Sequence, residues 1–235
     1  MSTNFLDFSP RLKNIIETGK SIDENRNTID VAGTSTINNL KVIRGLILDH
    51  SPRKTLEIGL AYGASALAIL ASLREVHPDN NYLHTAIDPF QKTAWKNSAL
   101  VAIEEENLQE NFRFLSDFSC FALPSLYKSE EKFDLVYIDG SHLFEDVLVD
   151  FYFVSRLLTL GGVILFDDCS DNHINKVIQF IKSNYRDFLV NFSTEKFTNK
   201  SFPKRLANQL GYRQIEAFRL IAYPPRKWNA QFYKF

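Results

Sequence analysis

The stretch Thr55-Leu-Glu-Ile-Gly-Leu-Ala-Tyr-Gly-Ala-Ser65 does most to constrain what this chain can fold into. Lys54 to Ile58 is β-prone, and Ala64 to Val76 (ASALAILASLREV) is dense in strong helix formers. The segment therefore predicts a strand, a sharp turn and a helix in immediate succession. Gly59 and Gly63 fall where the backbone must turn or approach a ligand, because glycine lacks the Cβ that would obstruct either. A helix starting there aims unpaired N–H groups, and the positive end of its dipole, past the end of the strand. In α/β proteins such a junction holds a nucleotide-like ligand.

The rest of the chain repeats the alternation. Ahead of the junction, Arg11 to Thr18 and Thr36 to His50 read as amphipathic helices, the second with Thr34, Ser35 or Thr36 as N-cap. The polar segment Ser21 to Gly33 between them reads as a loop or lid. Beyond the junction, strands are expected at Tyr82–Ile87, Phe112–Leu115, Phe133–Ile138, Val163–Phe166, Phe188–Phe192 and Phe218–Tyr223. Helices are expected at Ala94–Asn107, Phe118–Leu126, Glu145–Leu158, Asn172–Tyr185 and Phe202–Leu210, with Gly161-Gly162 closing the third of them. FDLVYI at 133–138 is nearly continuous in apolar residues, as befits a strand buried on both faces. Seven strands with intervening helices predict a Rossmann-like, doubly wound, mostly parallel α/β sheet with helices on both faces.

At 235 residues, 45% hydrophobic and 23% charged, the chain suits one globular domain. Its expected parts are an N-terminal helical cap (1–50), a ligand-binding core (51–223) and a tail (224–235). No apolar run approaches a membrane span, and MSTNFLDFSPRLK lacks the apolar centre of a signal peptide. Two cysteines, Cys120 and Cys169, make no disulfide framework, so a reducing cytoplasm is the expected compartment and both read as structural thiols. Residues 171–235 carry 12 Lys and Arg against 4 Asp and Glu, a basic third that would face an anionic ligand, an acidic partner or only solvent. No concentrated basic run or nucleic-acid motif is present, which argues against nucleic acid as a partner.

Acidic residues recur at the expected strand ends, where ligands of open α/β sheets bind: Glu57, Asp88, Asp117, Asp139, Asp167 and Asp168. Ala61 and Ala64 stand where a dinucleotide fingerprint needs glycine, and no phosphate-cradling lysine loop occurs. The E-x-G-x-x-x-G turn thus suits a ligand without phosphates, and Asp88 is placed to accept from ribose hydroxyls.

These residues carry a resemblance. LEIGLAYGASALAI, AIDPFQ with Trp95, SxxxLPSL at Ser119–Leu126, FDLVYIDGSHLFEDVLVDF and LLTLGGVILFDDC together resemble class I S-adenosylmethionine-dependent methyltransferases, in particular a bacterial subgroup acting on small molecules. The likeness spans about residues 35 to 223, with Ala61 departing from the middle glycine common in the superfamily. It implies that Glu57, Gly59, Tyr62, Gly63 and Ser65 line the methionine end of the cofactor. Asp88 would hold the ribose with Gln91 near it, and Asp117, Phe118, Ser119 and Cys120 would flank the adenine. Asp139 would serve both cofactor and catalysis.

Asp139, Asp167 and Asp168 end two strands expected side by side, and three carboxylates so close repel unless a cation or protons compensate. Oxygen ligands favour Mg²⁺, Mn²⁺ or Ca²⁺. The set is similar to the metal site of catechol-type and macrolide-sugar O-methyltransferases, where a divalent ion binds substrate oxygens; the alternative is acids that cap loops or touch cofactor without a metal. His142 stands where the catechol-type enzymes keep their general base, and is otherwise a satisfied loop residue. Glu145 and Asp146 read as acids complementing a helix start. The tail PPRKWNAQFYKF would cover the site, pair with another subunit in a homo-oligomer, or simply pack. The activity implied is methyl transfer to a small molecule, most simply to oxygen with divalent-ion help. An N-methyl or aminopropyl transferase on the same scaffold, or a non-catalytic cofactor-binding subunit, remains as the alternative.

Overall fold

A computed structural model describes residues 5–198, 214–225 and 227–235. The chain forms two compact units, 1–118 and 119–235.

In the first unit, Ser9 caps helix α1 (Pro10–Thr18) by accepting from Leu12 N, and Thr36 caps α2 (Ile37–His50) by accepting from Asn39 N. Between them lies a hairpin of β1 (Lys20–Ile22) and β2 (Thr28–Asp30), where only a loop or lid was expected. Asp23 makes its turn, accepting from the backbone N–H of Asn25 and Asn27. Strand β3 (Lys54–Ile58) pairs in parallel with β4 (Leu83–Ile87), and β4 with β5 (Phe112–Leu115). Helix α3 (Ala64–Val76) follows β3 as expected and is buried from Ala64 to Leu73; α2 packs along it. Helix α4 (Ser98–Glu105) starts four residues later than expected, because Lys96 and Asn97 take positive φ.

In the second unit, α5 (Ser119–Lys128) packs on α6 (Phe144–Leu157), and α6 on α7 (Asn172–Asn184). Strand β6 (Phe133–Ile138) is almost wholly buried and pairs in parallel with β7 (Leu158–Phe166). Gly161 and Gly162 do not close a helix, as the sequence had suggested. They lie inside β7, which begins directly after α6, with Gly161 at φ +87°. Beside β7 run β9 (Glu216–Leu220) and then β8 (Leu189–Asn191), both pairings antiparallel. The strand order is β5-β4-β3-β6-β7-β9-β8, the expected seven-stranded, mostly parallel sheet. The helix expected at Phe202–Leu210 lies outside the described residues.

The tail packs on α7: Lys176 Nζ donates to Phe235 O at 2.7 Å, Asn184 bonds the backbone of Tyr233, and Phe180 meets the rings of Phe232 and Phe235. Among the described residues no helix is long and apolar enough to cross a membrane.

Candidate active site

Glycine is needed at the β3–α3 turn for conformation and packing. Gly59 takes φ +91° and Gly63 φ +81°. A Cβ on Gly63 would lie 2.8 Å from the Ala99 Cβ of α4, so this glycine lets that helix pack close. Asp88, just past β4, braces the turn. Its Oδ2 accepts from Leu60 N at 3.0 Å and Ala61 N at 2.9 Å, and its Oδ1 accepts from Phe90 N at 2.6 Å. The carboxylate expected to hold a ribose is thus first spent on backbone N–H groups, leaving Oδ1 as its freer oxygen. Gln91 Nε2 donates to Ala61 O at 2.7 Å, which fixes its amide orientation and turns Oε1 the other way.

Two buried acceptors on this turn have no hydrogen-bond partner among the described residues: Glu57 Oε1 and Gln91 Oε1. A buried carboxylate oxygen left bare is costly, so it marks a place for a donor. Nearby, Gly63 opens α3 with no side-chain cap, leaving first-turn N–H groups and the positive dipole end for an anion. Unmet acceptors beside an uncapped helix start fit a zwitterion, an ammonium with a carboxylate. The amino-acid end of S-adenosylmethionine has that chemistry. Tyr62 is buried and meets Trp95 edge-on at 5.0 Å, and Ser65 is buried in the first turn of α3. Asp117 and Phe118 follow β5, where Phe118 faces Phe90 edge-on at 5.7 Å, both rings half exposed. Ser119 and Cys120 open α5 in the second unit, Cys120 exposed. Cys169 is buried, and burial pushes its thiol well above the ordinary range, which makes it inert as a nucleophile.

The second unit gathers the other candidates. Asp139, Ser141, His142 and Asp167 line one small cleft. His142 Nε2 lies 3.1 Å from Asp168 Oδ2, and its Nδ1 lies 3.8 Å from Asp171 Oδ2. The sequence does not single out Gln214, which stands just ahead of β9. Its amide donates to Asp168 Oδ1 and, at 3.2 Å, to Asp167 Oδ1. Tyr137 donates to Asp167 Oδ2, and Asp168 N to Asp167 Oδ1 at 2.7 Å. Among the described residues no three His, Cys, Asp or Glu side chains are placed to hold a metal ion. The oxygens of Asp167 and Asp168 face hydrogen-bond donors, and Asp139 shares the small cleft with Asp167. In this arrangement the donor set does not fit a divalent ion.

Residues 56–169 match the family model described as a methyltransferase domain. An uncharacterized protein R132 of Acanthamoeba polyphaga mimivirus is 29% identical over 96 residues, 37% of this chain and 42% of that relative, so the match spans less than half of the relative's length. Three solved structures share the fold at low identity. A putative O-methyltransferase from Klebsiella pneumoniae is 16% identical, with TM-score 0.65 and 91% of each chain covered. The O-methyltransferase TomG from Streptomyces achromogenes, involved in tomaymycin synthesis and solved with S-adenosylmethionine, is 17% identical, with TM-score 0.62 and coverage of 80% and 82%. An O-methyltransferase from Bacillus cereus, in complex with S-adenosylhomocysteine, is 17% identical, with TM-score 0.59 and coverage of 80% and 83%.

Proposed function

We propose that this chain, a class I S-adenosylmethionine-dependent methyltransferase by the domain at residues 56–169 and by its fold, methylates an oxygen of a small molecule. The observation that carries the donor half is the pair of unmet buried acceptors, Glu57 Oε1 and Gln91 Oε1, beside the uncapped start of α3. The cofactor, when bound, supplies an electrophilic methyl group on a sulfonium. The protein's share is placement. Glu57 accepts from the ammonium, and the first turn of α3, with Gly59, Tyr62, Gly63 and Ser65 around it, receives the carboxylate. Asp88, with its turn held rigid, accepts from the ribose through Oδ1 beside Gln91. Asp117 and Phe118, just past β5, flank the base.

For the acceptor, His142 is the general base. The imidazole, whose ring Asp168 orients, would take the hydroxyl proton of the acceptor as the methyl group left the sulfonium for that oxygen. The O-methyltransferases of similar fold favour oxygen over nitrogen. A cation on Asp139, Asp167 and Asp168, Mg²⁺ before Mn²⁺ or Ca²⁺, would require Gln214, Tyr137 and His142 to surrender their hydrogen bonds.

Calorimetry with S-adenosylhomocysteine tests the donor half. The wild type should bind, and Glu57→Gln should weaken binding about tenfold, the loss of one hydrogen bond to an ionised group. A wild type that gives no heat with this ligand ends the proposal. Titration with Mg²⁺ alone addresses the cation. Heat that disappears in Asp168→Ala would support it, and a silent wild type would remove it.

A further inference from the structure

The carboxylate of Glu57 is completely buried and is held from behind by a chain of two more buried side chains. Glu57 Oε2 lies 3.3 Å from His84 Nε2, and His84 Nδ1 lies 2.9 Å from Thr55 Oγ1. All three come from the register of two parallel strands: Thr55 on β3 stands opposite His84 on β4, and Glu57 follows Thr55 by two residues on the same face. The other side of the imidazole is closed by Phe112 of β5, its ring centroid 5.8 Å away. The imidazole is 0% exposed, and among the described residues these two are the polar partners it meets.

We propose that His84 is a positioning residue for the cofactor's amino group, acting through Glu57; the inference rests on the cofactor reading above. An ionised carboxylate only accepts hydrogen bonds, so the nitrogen facing Glu57 carries a proton. In the neutral imidazole the other nitrogen then accepts, and the Thr55 hydroxyl is there to donate to it. Thr55 thereby selects the Nε2–H tautomer. That N–H engages Oε2 and fixes the carboxylate plane, leaving Oε1 as the buried oxygen without a partner. A buried carboxylate with no donor at all would swing or take up a proton. Held by one oxygen only, it stays pre-oriented and still needs one more donor, which an ammonium group provides. This is how an outer partner tunes a binding group that it never lets the ligand touch, as in the support of metal ligands.

The test compares two ligands by calorimetry: S-adenosylhomocysteine, and 5′-methylthioadenosine, which keeps the nucleoside and the thioether but lacks the amino-acid end. His84→Phe keeps a flat ring against Phe112 and removes the donor. It should weaken S-adenosylhomocysteine about tenfold and 5′-methylthioadenosine less than twofold. His84→Gln places an amide N–H at nearly the same reach and should recover most of the loss. Thr55→Val, isosteric in a strand, should weaken S-adenosylhomocysteine alone by about threefold; it carries the test should His84→Phe fail to fold. Equal losses for both ligands, or full affinity in both His84→Phe and Thr55→Val, would make His84 only a core residue and overturn the inference. A wild type that binds neither ligand would instead refute the cofactor reading on which it stands.

Discussion

Asp150 should make this protein less stable as the pH rises toward neutrality. It sits in the middle of α6 at 1% exposure, and neither carboxylate oxygen has a hydrogen-bond partner among the described residues. Burial pushes its pKa from 3.8 to about 7, and Asp146 one turn earlier adds like-charge repulsion. The Ser119 side chain opposes the shift, but no hydrogen bond closes between them, so desolvation wins. The sign follows from linkage. Below about pH 4 both folded and unfolded chains hold the proton. Between about 4 and about 7 only the folded chain does, so stability falls by about 1.4 kcal/mol per pH unit. Above about 7 the full cost of roughly 4 kcal/mol stands, the rise from 3.8 to about 7 converted at that rate. Asp150→Asn removes the charged state while keeping the shape. Any penalty for its buried amide is the same at every pH. The stability difference between variant and wild type should therefore grow in the variant's favour by about 2 kcal/mol between pH 5.5 and pH 8, all of it below about 7. Urea unfolding at a series of pH values reads this directly, and thermal scans should show roughly 4–8 °C for a chain of this size. Parallel pH curves for the two proteins would refute the argument, because they would mean that Asp150 is solvated or partnered in the folded state.

Two further outcomes follow from packing. Gly63→Ala places a Cβ 2.8 Å from that of Ala99 and forces alanine to φ +81°, so it should cost about 3 kcal/mol in denaturant unfolding, well beyond a surface substitution. Ser9→Ala removes both the N-cap of α1 and the 2.7 Å donor to buried Glu106, whose other oxygen already lacks a partner among the described residues. About 2 kcal/mol should be lost, and a loss below about 0.5 kcal/mol would mean that water replaces both bonds.

Most of the sheet was legible because its strands are punctuated by glycine, proline and strand-end acids, and because FDLVYI and the Ile174, Val177, Ile178, Ile181 stripe of α7 each have only one way to be buried. The hairpin at Lys20–Asp30 was not legible. Its strands are three residues long and mostly polar, and they exist because Asp23 pins the turn and the backbone pairs across it. Gly161-Gly162 reads equally well as a helix stop and as a strand kink. The answer lies in β6, where a Cβ on Gly162 would press within 3.1 Å of Asp134 O.

The site divides along the same line. Residue types and spacing by themselves determined the turn, its glycines and the run of strand-end acids, since those depend on local backbone geometry and on which groups a short segment can present. Only the tertiary structure decided which donors each acid meets. Asp88 braces a turn because two loops meet there. Asp167 and Asp168 face donors because Gln214 arrives from far along the chain, and His84 stands behind Glu57 because two strands pair in one register. A carboxylate's role depends on which donors reach its oxygens, and those donors are brought by segments remote in sequence.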